Sequence, residues 1–262
     1  MIKLKSYLLV FAVGLSITSS ANANDIVMST IVTNDTKQEA TAFDDITEYL
    51  TYDDLSQAYE TVINQDDFDS LDMDELDNRV REVLVKIYQD KITYSHYLPD
   101  DYYKLNPKER ALVKKHPFMA AIVYNCSKIA ENRSKEIYPY GIGIHNGNQD
   151  AFRHSYWNAL LASNLAIVYN GGGEITLNLN RGLGFAEQFA TAHEYGVDKA
   201  LEVEMDLYNN RQGRIVYRDY FNPSRVPSNS DLSDWVESRV DRGVMKRILN
   251  DTVLIPTDNS EK

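Results

Sequence analysis

Two histidines, two aspartates and a glutamate fall in three short polar blocks set into otherwise helical sequence: "NGNQDAFRHSYWN" from Asn146, "ATAHEYG" from Ala190 and "MDLYNNRQGR" from Met205. Such side chains are the donors that hold divalent cations and the acids and bases that drive hydrolysis. In the first block Asp150 and His154 are four residues apart and share one helix face, which Asn158 continues, while Arg153 and Trp157 form the neighbouring line. That spacing suits joint coordination of one metal, or a carboxylate that fixes the tautomer of an imidazole base. It equally suits a helix whose Asp150 only complements the N-terminal dipole. In the second block His193 and Glu194 follow a face of Phe185, Phe189 and Ala192, and Val197 stands where a zincin would place its second histidine. A core histidine with one hydrogen-bond partner is the alternative there. In the third, Asp206 and Asn210 share a face with Asn209 beside them, and Gly213 is expected to cap the helix C-terminus. Adjacent asparagines are poor helix-interior residues because their amides compete for the backbone, so they mark either a retained site or a frayed helix end.

Taken as one site, the blocks offer Asp150, His154, His193 and Asp206 as a mixed nitrogen and oxygen set for a divalent metal, with Glu194 free to activate water. Without a metal, His154 or His193 would serve as acid and base. Arg153, Trp157, Asn158, Asn209, Asn210 and Arg214 are the expected substrate-binding residues, the two arginines suiting a phosphate or carboxylate. The expected activity is hydrolysis of a phosphodiester or ester. The alternative is a non-enzymatic envelope or interaction module whose polar cluster is structural.

Short connections between helices must bring these blocks together. Helical periodicity is read from Phe43 to Val62, from Met73 to Ile92, from Asn106-Pro107 and again from His116-Pro117 to Ala130. Further helices are expected at about Gln149–Tyr169, Leu183–Asn210 with a break near Gly196, and Leu232–Leu249. "YPYGIGIHNGN" is loop by composition, and strand-like patterning is confined to "EITLNL" and "DTVLIP". The expected fold is mainly α, an irregular bundle of about seven helices with at most one or two short strands.

The N-terminus, "MIKLKSYLLVFAVGLSITSSANAND", reads as a signal peptide cleaved after Ala23, which places the protein in the periplasm or outside the cell. Its apolar run is shorter than the roughly 20 residues of a spanning helix, and no transmembrane segment is expected in the mature chain. Residues 24–78 carry 16 Asp and Glu against Lys37, whereas the total net charge is only −12. This stretch is read as an acidic leader, mobile to about Ala42, followed by a first helix, and residues 79–262 as the helical domain carrying the site. So acidic an end argues against a long nucleic-acid groove. "NQDDFDSLDMDELD" lacks the central glycine and ligand spacing of a calcium loop. Cys126, the only cysteine, lies on the face of Phe118, Ala121 and Ile122 and is expected to be buried and inert; internal disulfides are excluded.

The blocks "DAFRHSYWNALLA", "FATAHEYG" and "MDLYNNRQGR" resemble, in this order, the signature of an uncharacterised bacterial domain family seen in secreted proteins and at the C-termini of large exported, toxin-like polypeptides. The resemblance covers roughly His145 to Arg214 and does not reach the acidic N-terminal part. It marks Asp150, Arg153, His154, Trp157, Asn158, His193, Glu194, Asp206, Asn209, Asn210 and Gly213. Where many relatives approach the first block through glycine-proline-glycine, this chain has "HNGNQD". The resemblance implies an exported setting and, for a toxin-like protein, an inhibitory partner; it implies no particular reaction.

Overall fold

The computed structural model of the chain describes residues 2–3, 43–94, 105–138 and 143–262. Nearly all of the expected signal peptide, the leader to Ala42 and the linker around Pro99 lie outside them. Among the described residues eight helices of nine residues or more are α1 (Tyr52–Ile63), α2 (Met73–Tyr94), α3 (Pro107–Lys115), α4 (Pro117–Ile137), α5 (Asn148–Leu165), α6 (Leu179–His193), α7 (Ala200–Tyr220) and α8 (Asn229–Asp241). The molecule is mainly helical. Its β content is a two-residue strand, β1 (Ile2–Lys3), paired antiparallel on a hairpin of β2 (Ile167–Tyr169) and β3 (Glu174–Leu177), and a second hairpin of β4 (Lys246–Leu249) and β5 (Val253–Pro256).

Local chemistry sets the element ends. Thr51 with Asp54, Asn106 with Glu109 and Ser228 with Asp231 form capping boxes that start α1, α3 and α8. Asp72 caps α2 in the same reciprocal way, accepting from the backbone N–H groups of Asp74 and Glu75 while Glu75 accepts from its own. The acidic run that superficially suggested a calcium loop is in part a helix start. Gly196, at φ +88°, ends the helical stretch after α6 where the break was expected. Two expected helices are shorter than their periodicity: α5 ends at Leu165 and α8 at Asp241, and the apolar residues beyond each enter the hairpins.

Helix α5 is the axis of the bundle, packed against α4, α6, α7 and α8. Every one of its residues except Arg153 is buried, polar ones included. A buried polar group must find a partner, so α5 dictates what its neighbours carry. Ser155 Oγ donates to the Asn209 carbonyl at 3.0 Å, and the Trp157 indole donates to the Val123 carbonyl at 3.2 Å. Gly213 corrects the sequence reading: it is not a cap but an interior residue of α7, where a Cβ would collide with the Ser155 carbonyl oxygen. Cys126 is buried as expected, and burial pushes its thiol up to about 12. The N-terminal end of α5 is held by the C-terminal tail. Glu261 accepts from the Asn148 N–H at 2.6 Å, placing a carboxylate at the positive helix end, and Arg247 bridges Asp258 and Glu261.

Candidate functional site

Three carboxylate and imidazole groups converge where the first turns of α5 and α7 face each other. His154 Nε2 lies 3.4 Å from Asp150 Oδ1 and 3.4 Å from Asp206 Oδ1. One donor atom from each of the three residues falls within 4.8 Å of the others. Asp150 and His154 are 5% and 7% exposed. Within this buried group Asp206 Oδ1 and His154 Nδ1 have no hydrogen-bond partner. Buried polar atoms are ordinarily satisfied, so these two are the exceptions to explain.

The backbone in front of α5 shapes the rest. Asn146 adopts a positive φ of 66°, its N–H donates to Asp150 Oδ2 at 2.8 Å, and its carbonyl accepts from Ile248 N–H at 2.7 Å. Arg153 Nη2 donates to Asp150 Oδ1 and lies 3.2 Å from His154 Nε2. Above the three groups opens a cleft of about 770 Å³, walled by His145 and Asn146, by Lys199 and Glu202 at the start of α7, and by Ile248 and Asp251 of the second hairpin. Asp251 sits in the hairpin turn, where Asn250 and Asp251 both have positive φ, as a primed turn demands.

The environments of the two aspartates differ. Burial by itself would raise the Asp150 carboxyl, but the hydrogen bond and charge of His154, the Arg153 guanidinium and the Asn146 N–H hold it well below the usual carboxylate range. Burial raises Asp206 to about 7, with the charges of Asp150 and Glu194 adding to it and His154 opposing. Burial disfavours the His154 imidazolium, yet the Asp150 hydrogen bond and the negative charge of both aspartates leave its pKa raised. One carboxylate is therefore ionised, one is poised near neutrality, and an imidazole stands between them.

The fourth expected metal ligand is elsewhere. His193, at the end of α6, holds Glu109 Oε1 through Nδ1 at 2.9 Å and meets the Trp157 ring edge at 5.4 Å between centroids. Geometry therefore replaces the expected group of four by one of three, because the last turn of α6 meets α3 there. Glu194 Oε1 accepts from Asn210 Nδ2 at 3.4 Å. Asn158 Nδ2 donates to Asn210 Oδ1 at 2.7 Å, and Arg214 Nη1 donates to Asn158 Oδ1 at 2.8 Å. Asn209 clasps β4, donating to the Lys246 carbonyl at 2.8 Å and accepting from its N–H at 2.9 Å. Trp157, Asn158, Asn209, Asn210 and Arg214, expected to bind substrate, thus hold α5, α6, α7 and β4 to one another and do not line the cleft. Of that set only Arg153 does.

The sequence reading missed Asn146, Lys199, Glu202 and the hairpin tip. A signal existed for Asn146, a residue tolerant of positive φ directly before a glycine, and none for Ile248 or Asp251, whose place depends on how the hairpin folds back. Searches of curated proteins and of solved structures found no match to this chain. Residues 110–243, which include Asp150, His154 and Asp206 but not the second hairpin, match the model of a domain of unknown function, DUF6973. The chain belongs to the DUF6973 family.

Proposed function

We propose that Asp150, His154 and Asp206 hold a divalent cation at the floor of the cleft and that the protein is a hydrolase of anionic substrates, phosphodiesters or esters. The observation that carries this reading is the convergence of three donors around a buried, unpartnered Asp206 Oδ1. Two carboxylates and an imidazole suit manganese, zinc or magnesium, and three protein ligands leave positions open for substrate and water. A cation there supplies Lewis-acid polarisation of a phosphoryl or acyl oxygen. Asp150, fixed by the Asn146 N–H, keeps one ligand charged in the metal-free protein; Asp206, raised by burial when no cation is present, would release its proton on binding one, so cation binding strengthens as pH rises. Arg153 is the lining cation that can face an anionic substrate, since Lys199 at the wall is paired with Glu202 at 2.8 Å.

The test is elemental analysis of purified protein together with hydrolysis assays on phosphodiester and carboxylic ester substrates, for wild type and His154→Ala. Stoichiometric metal and hydrolysis, both lost in the variant, are the expected result; absence of both from wild type would overturn the reading. A second reading, a non-enzymatic module with a structural polar cluster, is favoured by one observation: the Asn158, Asn210 and Arg214 side chains are all engaged, with one another and with Glu194 and Glu187. The N-terminal signal pattern supports export, and the resemblance of the three polar blocks to domains of toxin-like polypeptides supports a toxin-like role with an inhibitory partner.

A further inference from the structure

Arg153 is the one residue of α5 that is not buried, its side chain 39% exposed, and its guanidinium points at the floor of the cleft. Nη2 donates to Asp150 Oδ1 and sits 3.2 Å from His154 Nε2, and these atoms lie 3.4 Å apart. They are two of the donor atoms that a cation on Asp150, His154 and Asp206 would use. A lone pair engaged by a guanidinium N–H is closed to a metal, and two cations at such a distance repel strongly in a buried site. Arginine and metal therefore exclude each other.

A displaced guanidinium can turn into the cleft. The neighbours of Arg153 on α5 are packed against other helices, whereas its own side chain lines the cleft together with Lys199, His145 and Asn146. Turned into that space, it presents a planar fork of donors, the arrangement that binds a phosphoryl or carboxylate group bidentately.

Building on the cation-site reading, we propose that Arg153 is an exchange switch: it pairs with the Asp150 carboxylate beside His154 while the metal is absent, and turns to the oxyanion of the substrate when the metal is bound. Cation and anion then bind cooperatively, because an anion that retains the guanidinium keeps the metal's donors free. The coupling is reciprocal, each ligand tightening the other by the same factor.

The experiment is calorimetric titration of the purified protein with Mn²⁺, with and without dimethyl phosphate as a phosphodiester probe and acetate as a carboxylate probe. Wild type, Arg153→Gln and Arg153→Lys are compared, with circular dichroism confirming that each is folded. Arg153→Gln is expected to bind Mn²⁺ about tenfold more tightly than wild type, within the usual range of such couplings. Dimethyl phosphate is expected to tighten Mn²⁺ binding to wild type about fivefold and to tighten it distinctly less in Arg153→Gln, where only the cation holds the anion. Arg153→Lys, which keeps the charge without the fork, should show a weaker effect of the anion. Mn²⁺ binding to wild type that is equal to or tighter than binding to Arg153→Gln overturns the switch and leaves the cation site standing. Anion coupling as large in Arg153→Gln as in wild type overturns it too, since Arg153 then does not hold the anion. Coupling to acetate alone keeps the switch and replaces the phosphodiester by a carboxylate. If none of the three proteins binds Mn²⁺, the cation site and the switch fall together.

Discussion

Two histidines of this chain face buried carboxylates, and they differ in what is left over. His193 and Glu109 form a closed strut: the Glu109 carboxylate, 2% exposed, takes the His193 Nδ1, the Asn106 N–H that it caps and the Tyr52 hydroxyl. Asn106 also donates its side-chain amide to the Ala192 carbonyl at 2.8 Å, so α1, α3 and α6 are tied at one point. His154 instead faces two carboxylates through Nε2, one of which, Asp206, keeps a buried oxygen without a hydrogen-bond partner, and it lies under an open cleft. Residue types alone do not separate the two. Saturation of the lone pairs does, because a satisfied polar cluster contributes rigidity, whereas a partly satisfied one is stable only if something completes it.

The largest expected effect concerns the metal response. In melts of chelated and metal-loaded protein, Mn²⁺ or Zn²⁺ at about 100 times its dissociation constant should stabilise wild type by about 2.7 kcal/mol. Asp206→Ala and His154→Ala should abolish that gain, while His193→Ala should retain it. Loss of the metal response in His193→Ala would erase the distinction between the two clusters.

The strut should show the reverse behaviour. Glu109→Ala removes a helix cap and leaves buried donors unmatched, with an expected loss of about 2 to 3 kcal/mol in urea denaturation and no change in Mn²⁺ affinity. A variant as stable as wild type would mean that the strut is not holding the helices.

A smaller effect sharpens the contrast through pH. The folded-state pKa of Asp206, about 7, lies above its unfolded value near 3.9, so the folded protein holds the extra proton between these limits. Stability of the metal-free protein from this group is therefore full at the acid end and declines as pH rises through that window. His154, also raised, adds a decline of the same sign above about 6.5. Asp150, depressed, acts oppositely, and its contribution is lost only as pH falls below about 4. Asp206→Asn should flatten the slope between pH 4 and 7 in denaturation of chelated protein; an unaltered slope would show that Asp206 is already ionised there.

Gly196→Ala, in the turn between α6 and α7, should have the smallest effect, about 1 kcal/mol of destabilisation from the positive φ, with metal affinity unchanged. The measurement is again urea denaturation, and a shift in Mn²⁺ affinity would couple the turn to the cleft.

Asp150 and His154 were legible as a pair because a four-residue step along α5 obliges them to share a face. The helix starts at Asn106 and the break at Gly196 were legible because capping and positive φ are properties of the residues themselves. Asn209 and Asn210 were correctly read as residues that propensity does not explain. Their use was not legible: Asn209 answers the backbone of β4, and Asn210 answers Asn158 across the helix interface.

The sequence by itself determined the helical periods, the helix start at Asn106, the burial of Cys126 and the polar blocks, since each follows from interactions within a few residues along one helix. Only the tertiary structure decided that Asp206 completes the Asp150 and His154 pair, that His193 joins Glu109 instead, and that Gly213 is a point of close approach between α5 and α7. The physical reason is that partners far apart in sequence are selected by how helices pack against one another. How α3 and α6 meet assigns one histidine to a strut, while the approach of α7 to α5 leaves the other at an open site.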